Sequence, residues 1–150
     1  MNATEEFLTE AFIEQGLVSQ ELIDQILAEA KEQAGSVGED ELSLLFFSLL
    51  LDQLGLSKEE VVNFLGAELS MPTVDLSTLS LTPEVLGLLS PEHARFYEAI
   101  PLGTDGSSVD LLLGNPLDQD NTDNLSHVLG KPVNPSVAYR GDVLDAIHQL

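Results

Sequence analysis

Hydrophobic residues are most frequent at residues 42–56, where they would occupy nearly every face of a helix. A helix without a polar side must be covered by other elements, so this stretch is predicted to form a core helix. Its apolar block of about ten residues is well short of the roughly 20 that a membrane-spanning helix needs. The pattern therefore predicts a helical core and no direct insertion into a membrane.

Apolar positions on either side of this stretch predict a helical hairpin that occurs twice. Residues 7–29 have apolar positions at helical spacing with a break at Gly16, where glycine is suited to end one helix and Ser19 to cap the next. The core helix likewise reaches Gly55, and residues 57–60 have the sequence of a capping box that starts another helix. Gly16 and Gly55 are thus predicted to be equivalent turns.

A connector between the two hairpins is predicted at residues 31–41, which contain two glycines and little that could be buried. The second hairpin is predicted to end at Met71-Pro72, because proline cannot continue a helix. These limits predict a duplicated helical region over residues 1–72 and a separate subdomain over residues 73–150.

Hydrophobic spacing changes after Pro72 from helical periodicity to short strands between turn residues. An Asp-Gly pair at residues 105–106 between two apolar runs predicts a β-hairpin. Thr82-Pro83 and Ser90-Pro91 each place a capping residue before a proline, which predicts two short helices. The predicted extended segments are residues 73–76, 99–102, 109–113 and 135–140, and the predicted helices are residues 83–89, 91–98, 118–129 and 142–150.

This order of elements predicts the fold class. If the second and third strands of the sheet pair in parallel, the helix between them forms a right-handed crossover. The prediction is an α+β fold, in which two helix-hairpin units are followed by a small α/β subdomain with a three-stranded mixed sheet.

Charge limits the kinds of partner that the chain can bind. Lys and Arg number 5 against 26 Asp and Glu, so the formal net charge is −21. Nucleic acids and anionic membrane surfaces are bound through clustered cations, which excludes both as partners. A protein with a basic surface is the natural complement. The alternative is that the acids form only a solvated coat, for solubility or for a salt-rich cytoplasm.

The compartment is predicted from what the sequence lacks. The chain has no cysteine, which excludes disulfides, thiolate nucleophiles and cysteine-based zinc sites. The first residues have neither the basic nor the apolar segment of a secretory signal. A cytoplasmic protein or domain is therefore predicted.

Several segments resemble, in their order and spacing, the N-terminal domain of type II secretion and type IV pilus assembly ATPases of the GspE, PilB and MshEN type. The resemblance extends from about residue 7 to the C-terminus. The segments that carry it are E-Q-G-L-V at residues 14–18, E-L-S-M-P at 68–72, V-D-L at 74–76, H-A-R-F-Y at 93–97, I-P-L at 100–102, N-P-L-D at 115–118 and the closing residues 142–149.

This resemblance implies a cytoplasmic, non-catalytic adaptor that serves protein transport through protein–protein interaction. Such a domain docks the ATPase motor onto a membrane-anchored component of the secretion or pilus machine, and so is recruited to the inner face of the cytoplasmic membrane. No cofactor is implied. The motor domain is expected beyond Leu150 in a longer chain, or on another chain.

A subset of these relatives implies an alternative function as a cyclic di-GMP sensor. Their paired helical motifs open with Arg-Leu-Gly, turn at Gly-Leu or Gly-Ile, and close with glutamine. At the matching openings this chain has Phe7-Leu8-Thr9 and Phe46-Phe47-Ser48, and at the matching ends Ala30 and Glu68. Phenylalanine lacks the planar donors of arginine, and Glu68 repels phosphate. The degenerate motif positions are Leu8, Gly16, Leu17, Leu27, Gly55, Leu56 and Leu65.

A nucleotide-hydrolysing loop is not present in the sequence. Gly-x-x-x-x-Gly-Lys-Ser/Thr is required, but Gly130-Lys131 is followed by Pro132 and the earlier glycine position is Leu125. The segment is therefore predicted not to be an enzyme.

No metal site is predicted either. His93, His127 and His148 lie on three separate predicted helices without a paired ligand spacing. The acids within residues 118–123 lack the turn glycine and the final glutamate of a calcium-binding loop, and helix capping explains them better.

Four phenylalanines allow two interpretations. Phe7, Phe12, Phe46 and Phe47 either fill the core, or form a dry contact between helical units or with a partner. A Phe46→Arg substitution separates these, because lost stability with unchanged partner binding indicates a core position.

Overall fold

The computed structural model describes residues 2–79 and 81–150, and it confirms the predicted α+β class with a three-stranded mixed sheet. The chain separates into two units, the first ending at Glu60 and the second being Val61–Leu150. The division into a duplicated helical region over residues 1–72 and a small α/β subdomain over residues 73–150 stays a prediction.

Three helices form the first unit: α1 (Ala3–Glu14), α2 (Gln20–Ala34) and α3 (Glu39–Leu54). Ser19 caps α2 as predicted, since its hydroxyl accepts a hydrogen bond from the Leu22 amide at 3.1 Å. A capping box that the prediction did not include starts α1, where the Asn2 side chain accepts from the Glu5 amide and the Glu5 carboxylate accepts from the Asn2 amide. Each cap satisfies amides that the first turn of a helix leaves free.

The predicted core helix is confirmed as α3. Helices α2 and α3 pack against each other. Phe46 and Leu50 have no exposed surface, and Phe47 and Leu51 are nearly as buried. The edge of one phenylalanine ring meets the face of the other, with the centroids of Phe46 and Phe47 5.3 Å apart. Each such side chain stabilises the fold by about 1.5–3 kcal/mol through burial.

The connector predicted at residues 31–41 is much shorter in the structure. Helix α2 continues to Ala34 and α3 begins at Glu39, which leaves only residues 35–38 between them. The last turn of α2 is mostly exposed and contains few apolar residues. The prediction relied on apolar residues to recognise helices, so it placed the end of α2 too early. Gly35 ends α2 with a positive φ of 65°, which glycine adopts readily.

Helix α4 (Lys58–Leu69) begins at the end of the first unit and lies mainly in the second. Ser57 caps it as predicted, accepting from the Glu60 amide at 3.1 Å. The remaining elements are α5 (Pro83–Leu86), α6 (Pro91–Tyr97), β1 (Ala99–Thr104), β2 (Val109–Leu113), α7 (Gln119–Leu129), β3 (Val133–Val137) and α8 (Arg140–His148).

The sheet has the order β1-β2-β3, with β1 and β2 antiparallel and β2 and β3 parallel, as predicted. The segment predicted to be extended at residues 73–76 forms one bridge, between Thr73 and Val137. Val74 donates its amide to the Val137 carbonyl at 2.9 Å. This segment therefore covers part of the open edge of β3.

The third strand and the last helix both begin two residues earlier than predicted. The strand is Val133–Val137 rather than residues 135–140, and α8 starts at Arg140 rather than at Asp142. Helix α8 starts before Asp142 because the Tyr139 carbonyl already accepts hydrogen bonds from the Asp142 and Val143 amides, at 3.0 and 3.1 Å. The Arg140 guanidinium forms two hydrogen bonds with the Glu98 carboxylate, at 2.8 and 2.9 Å. This ion pair joins residues 42 positions apart, which local sequence patterns do not reveal.

Alternating residues of β2 divide the core of the second unit between the two faces of the sheet. Leu111 and Leu113 pack with Ala94 of α6 and Leu125 of α7. Leu112 lies on the other face, in a cluster that includes residues of α8. This alternation follows from the period of two in a strand and fixes the register of the sheet.

Candidate functional site

The two predicted turns have the same geometry. Gly16 and Gly55 have φ values of 74° and 69°. The Gly16 amide donates to the Ile13 carbonyl and the Leu17 amide to the Phe12 carbonyl, both at 3.0 Å. The second turn repeats this pattern, from Gly55 to Asp52 at 3.3 Å and from Leu56 to Leu51 at 3.0 Å. The turns are thus structurally equivalent, as the sequence predicts.

These hydrogen bonds also limit what the turns can bind. The four amides of Gly16, Leu17, Gly55 and Leu56 already donate to carbonyls of the preceding helices. They are therefore not available to a phosphate in this conformation. The same pair of hydrogen bonds ends α7 at Gly130. The pattern is a common way to end a helix and does not by itself indicate a ligand site.

The side chains of the degenerate nucleotide motif do not form one exposed surface. Leu8 and Leu65 are buried, and Leu27 and Leu56 are half-buried. Leu17 is 46% exposed, and the two turn glycines are also exposed. The leucines therefore serve mostly as packing residues, and none supplies a polar group.

The openings and ends of the motif do not fit a cyclic dinucleotide. Phe46, at one opening, has no exposed surface, and Phe7, at the other, is half-buried. Ala30 is fully buried at one end, and Glu68 is an exposed acid at the other. The motif that the resemblance implies opens with arginine, and this chain has Phe7 and Phe46 there, so these positions offer neither a stacking cation nor a phosphate ligand.

The exposure of the four phenylalanines distinguishes between a core role and an interface role. Phe12, Phe46 and Phe47 are each less than 5% exposed, and only Phe7 has an intermediate exposure. The first three therefore fill the interior of the folded chain, which favours the core interpretation. The interface role of these residues stays a prediction. Of the four, Phe7 alone has enough exposed surface to contact a partner in this conformation.

An acidic stripe runs along α1. Glu6, Glu10 and Glu14 are all exposed and follow one another at four-residue spacing, which places them along one side of the helix. None of the three forms an ion pair with any residue in the described part of the chain. Sequence reasoning considered only the total charge and missed this stripe, although the spacing was visible.

Charge is concentrated in the first unit. Residues 1–60 contain 14 acids against Lys31 and Lys58, a net charge of −12, whereas residues 61–150 contain 12 acids against three bases, a net charge of −9. The shorter unit thus carries more than half of the total charge. A cationic surface would be attracted mainly to this helical unit.

One exposed carboxylate has a strongly lowered pKa. The amides of Ser108 and Ser107, followed by the Ser107 hydroxyl, donate to Asp105 and lower its pKa from 3.8 to about 2. Hydrogen bonds from the Ser77 hydroxyl and amide lower the pKa of Asp75 in the same way. Both carboxylates accept hydrogen bonds from serines two or three residues further along the chain and so stabilise turns.

The three histidines lie on separate helices, His93 on α6, His127 on α7 and His148 on α8. Across the described ranges, no group of three or more His, Asp or Glu side chains could hold a metal ion. Over the same residues, no helix is both long and apolar enough to cross a membrane.

Comparison with known proteins identifies the family. The MshEN domain model matches residues 69–150, which is more than half of the chain. The chain therefore belongs to the MshEN domain family, which confirms the resemblance to the N-terminal domains of type II secretion and type IV pilus assembly ATPases.

Two solved structures are similar over nearly the whole chain. A structure of MshE with cdg is 26% identical, with a TM-score of 0.62 over 93% of this chain and 95% of that one. The N-terminal domain of XpsE is 24% identical, with a TM-score of 0.59 over 99% of this chain and 96% of that one. At this identity the similarity is evidence for the fold and not for the function. No curated protein matches the sequence.

Proposed function

We propose that this chain is a docking domain that attaches a secretion or pilus ATPase motor to a membrane-anchored component of the same machine. Membership of the MshEN family supports the association with such ATPases. The segment itself carries out no reaction, and the motor domain acts in cis or in trans. The partner positions the domain at the inner face of the cytoplasmic membrane.

The acidic stripe of α1 is the observation that carries this proposal. Like charges four residues apart destabilise a helix by about 0.2–0.5 kcal/mol per pair. Glu6, Glu10 and Glu14 have no ion pair among the described residues that would offset this cost. A basic partner surface would offset it, and would also speed association through long-range attraction.

Binding to the cytoplasmic part of the membrane-anchored component tests the proposal. The stripe variant carries Glu6→Gln, Glu10→Gln and Glu14→Gln. The matched control carries three neutralised acids of the second unit, all exposed: Glu84→Gln, Asp123→Asn and Asp145→Asn. Both variants have the same net charge, so weaker binding by the stripe variant alone supports docking through α1. Equal binding by both variants contradicts it.

A second candidate function is sensing of a cyclic dinucleotide. It is favoured by the MshE structure with cdg, which we take to be cyclic di-GMP. The buried Phe46, the acidic Glu68 and the occupied turn amides argue against it here. Cyclic di-GMP at 100 times its dissociation constant would stabilise the fold by about 2.7 kcal/mol, so an unchanged melting temperature excludes a useful site.

A further inference from the structure

Helix α6 presents the most exposed large apolar side chain in the described part of the chain. Phe96 is 78% exposed, far more than Leu17, Val37 or Val128. Its ring forms a T-shaped contact with the ring of Tyr97, at a centroid distance of 4.8 Å. Exposing a phenylalanine to this extent forgoes the stabilisation that burial would give, and such residues commonly mark contact surfaces.

The helix that carries Phe96 is firmly held by the rest of the second unit. Its opposite side is anchored by Ala94, which has no exposed surface. The Tyr97 carbonyl accepts a hydrogen bond from the Asn121 side chain at 2.9 Å, and α6 packs against α8 and β1. Phe96 therefore projects from a fixed platform, which reduces the entropic cost of a contact.

Two unpaired charges flank the ring. Glu92 and Arg95 are exposed, and neither forms an ion pair with another residue in the ranges 2–79 and 81–150. One acid and one base make the exposed face of α6 neutral, in a chain whose net charge is −21. Two copies of the chain repel each other least at such a surface.

We propose that the α6 face, formed by Pro91, Glu92, Arg95 and Phe96, binds the same face of a second copy. Two α6 helices arranged antiparallel about a two-fold axis would place Arg95 of each copy opposite Glu92 of the other. Each Phe96 ring would then lie against Pro91 of the other copy. A two-fold contact requires this kind of self-complementary surface, which the acid, the base and the ring provide.

The contact is small and therefore weak. A buried phenylalanine contributes roughly 150–250 Å², so the contact lies below the approximately 1,200 Å² of a stable interface. The dissociation constant is expected to be on the order of 100 μM. The contact would act with other interactions that bring copies of the chain together. It involves the second unit alone and is independent of docking through α1.

Sedimentation equilibrium of the purified chain tests this proposal, from about 10 μM to 1 mM. Sodium chloride at about 0.3 M screens the repulsion between two acidic copies. A monomer–dimer equilibrium is expected, and Phe96→Ser should raise its dissociation constant at least about tenfold. Val128→Ser on α7 is the control and should have no effect. Monomer at every concentration, or a dimer that Phe96→Ser leaves intact, overturns the proposal.

Charge reversal tests the pairing itself. Arg95→Glu places two acids opposite each other, and Glu92→Arg places two bases opposite each other, so each single change should weaken the dimer about tenfold. The double variant restores opposite charges and should return the dissociation constant to within about threefold of the original. If the double variant is as weak as the single ones, the pairing is refuted. Far-UV circular dichroism checks that each variant stays folded.

Discussion

The ion pair between Glu98 and Arg140 allows the sharpest prediction about stability. Glu98 follows α6 with a positive φ of 51°, and Arg140 begins α8. Their two hydrogen bonds, at 2.8 and 2.9 Å, join the ends of these helices. The two side chains are only 22% and 10% exposed, so water screens the pair poorly.

The expected magnitude lies between that of a surface pair and that of a buried pair. Exposed ion pairs contribute about 0.2–1 kcal/mol, whereas breaking a fully buried pair costs about 3–5 kcal/mol. Arg140→Met leaves a mostly buried carboxylate without this partner, and we expect a loss of about 2 kcal/mol. Glu98→Gln should cost a similar amount. The double variant should cost less than the sum, with a coupling energy of at least about 1 kcal/mol.

Tyrosine fluorescence during urea unfolding measures this directly. The chain has no tryptophan, and both tyrosines, Tyr97 and Tyr139, lie in the second unit beside the ion pair. The control is Arg95→Met, which removes an exposed arginine and should change the free energy of unfolding by less than about 0.5 kcal/mol. A coupling energy below about 0.5 kcal/mol would show that the two side chains do not act as a pair.

Three further predictions concern single positions. A Cβ atom at Gly66 would lie 2.6 Å from Thr73 Cγ2, so Gly66→Ala should destabilise the second unit by about 1–3 kcal/mol despite its better helix propensity, and a higher urea midpoint would contradict this. The lowered pKa of Asp105 means that its stabilising contribution is present above pH 4 and is lost as the pH falls towards 2. Carbon-detected NMR titration should place its pKa near 2, and Ser107→Ala should raise it. Phe46→Arg places a cation at a site with no exposed surface and should unfold the helical unit or cost more than about 4 kcal/mol, measured by circular dichroism; retained stability would refute the core position.

Elements with local signals were predictable from the sequence. Ser19 and Ser57 at helix starts and Gly16 and Gly55 at helix ends each act on amides or carbonyls a few residues away. The capping box of α1 has an equally local signal, Asn2 followed by Glu5, but it precedes the apolar run on which the prediction relied.

Elements fixed by distant contacts were not predictable in the same way. The ion pair of Arg140 with Glu98 joins residues 42 positions apart, and the extent of β3 depends on its neighbours in the sheet. Exposure is likewise a property of the whole fold: Phe46 and Phe96 look alike in sequence, yet one is fully buried and the other largely exposed. The exposed face of α6 could therefore be identified only once burial was known, whereas the spacing of the acidic stripe was already visible in the sequence.

The most direct test of the account is the affinity of the domain for the cytoplasmic part of the membrane-anchored component that we propose as its partner, compared between the stripe variant and its control. Removing three exposed charges at about 0.5 kcal/mol each should raise the dissociation constant about tenfold for the stripe variant. The control, with the same net charge, should change it less than about threefold. Equal effects of the two variants, or no binding by the unaltered domain, would contradict docking through the acidic helix.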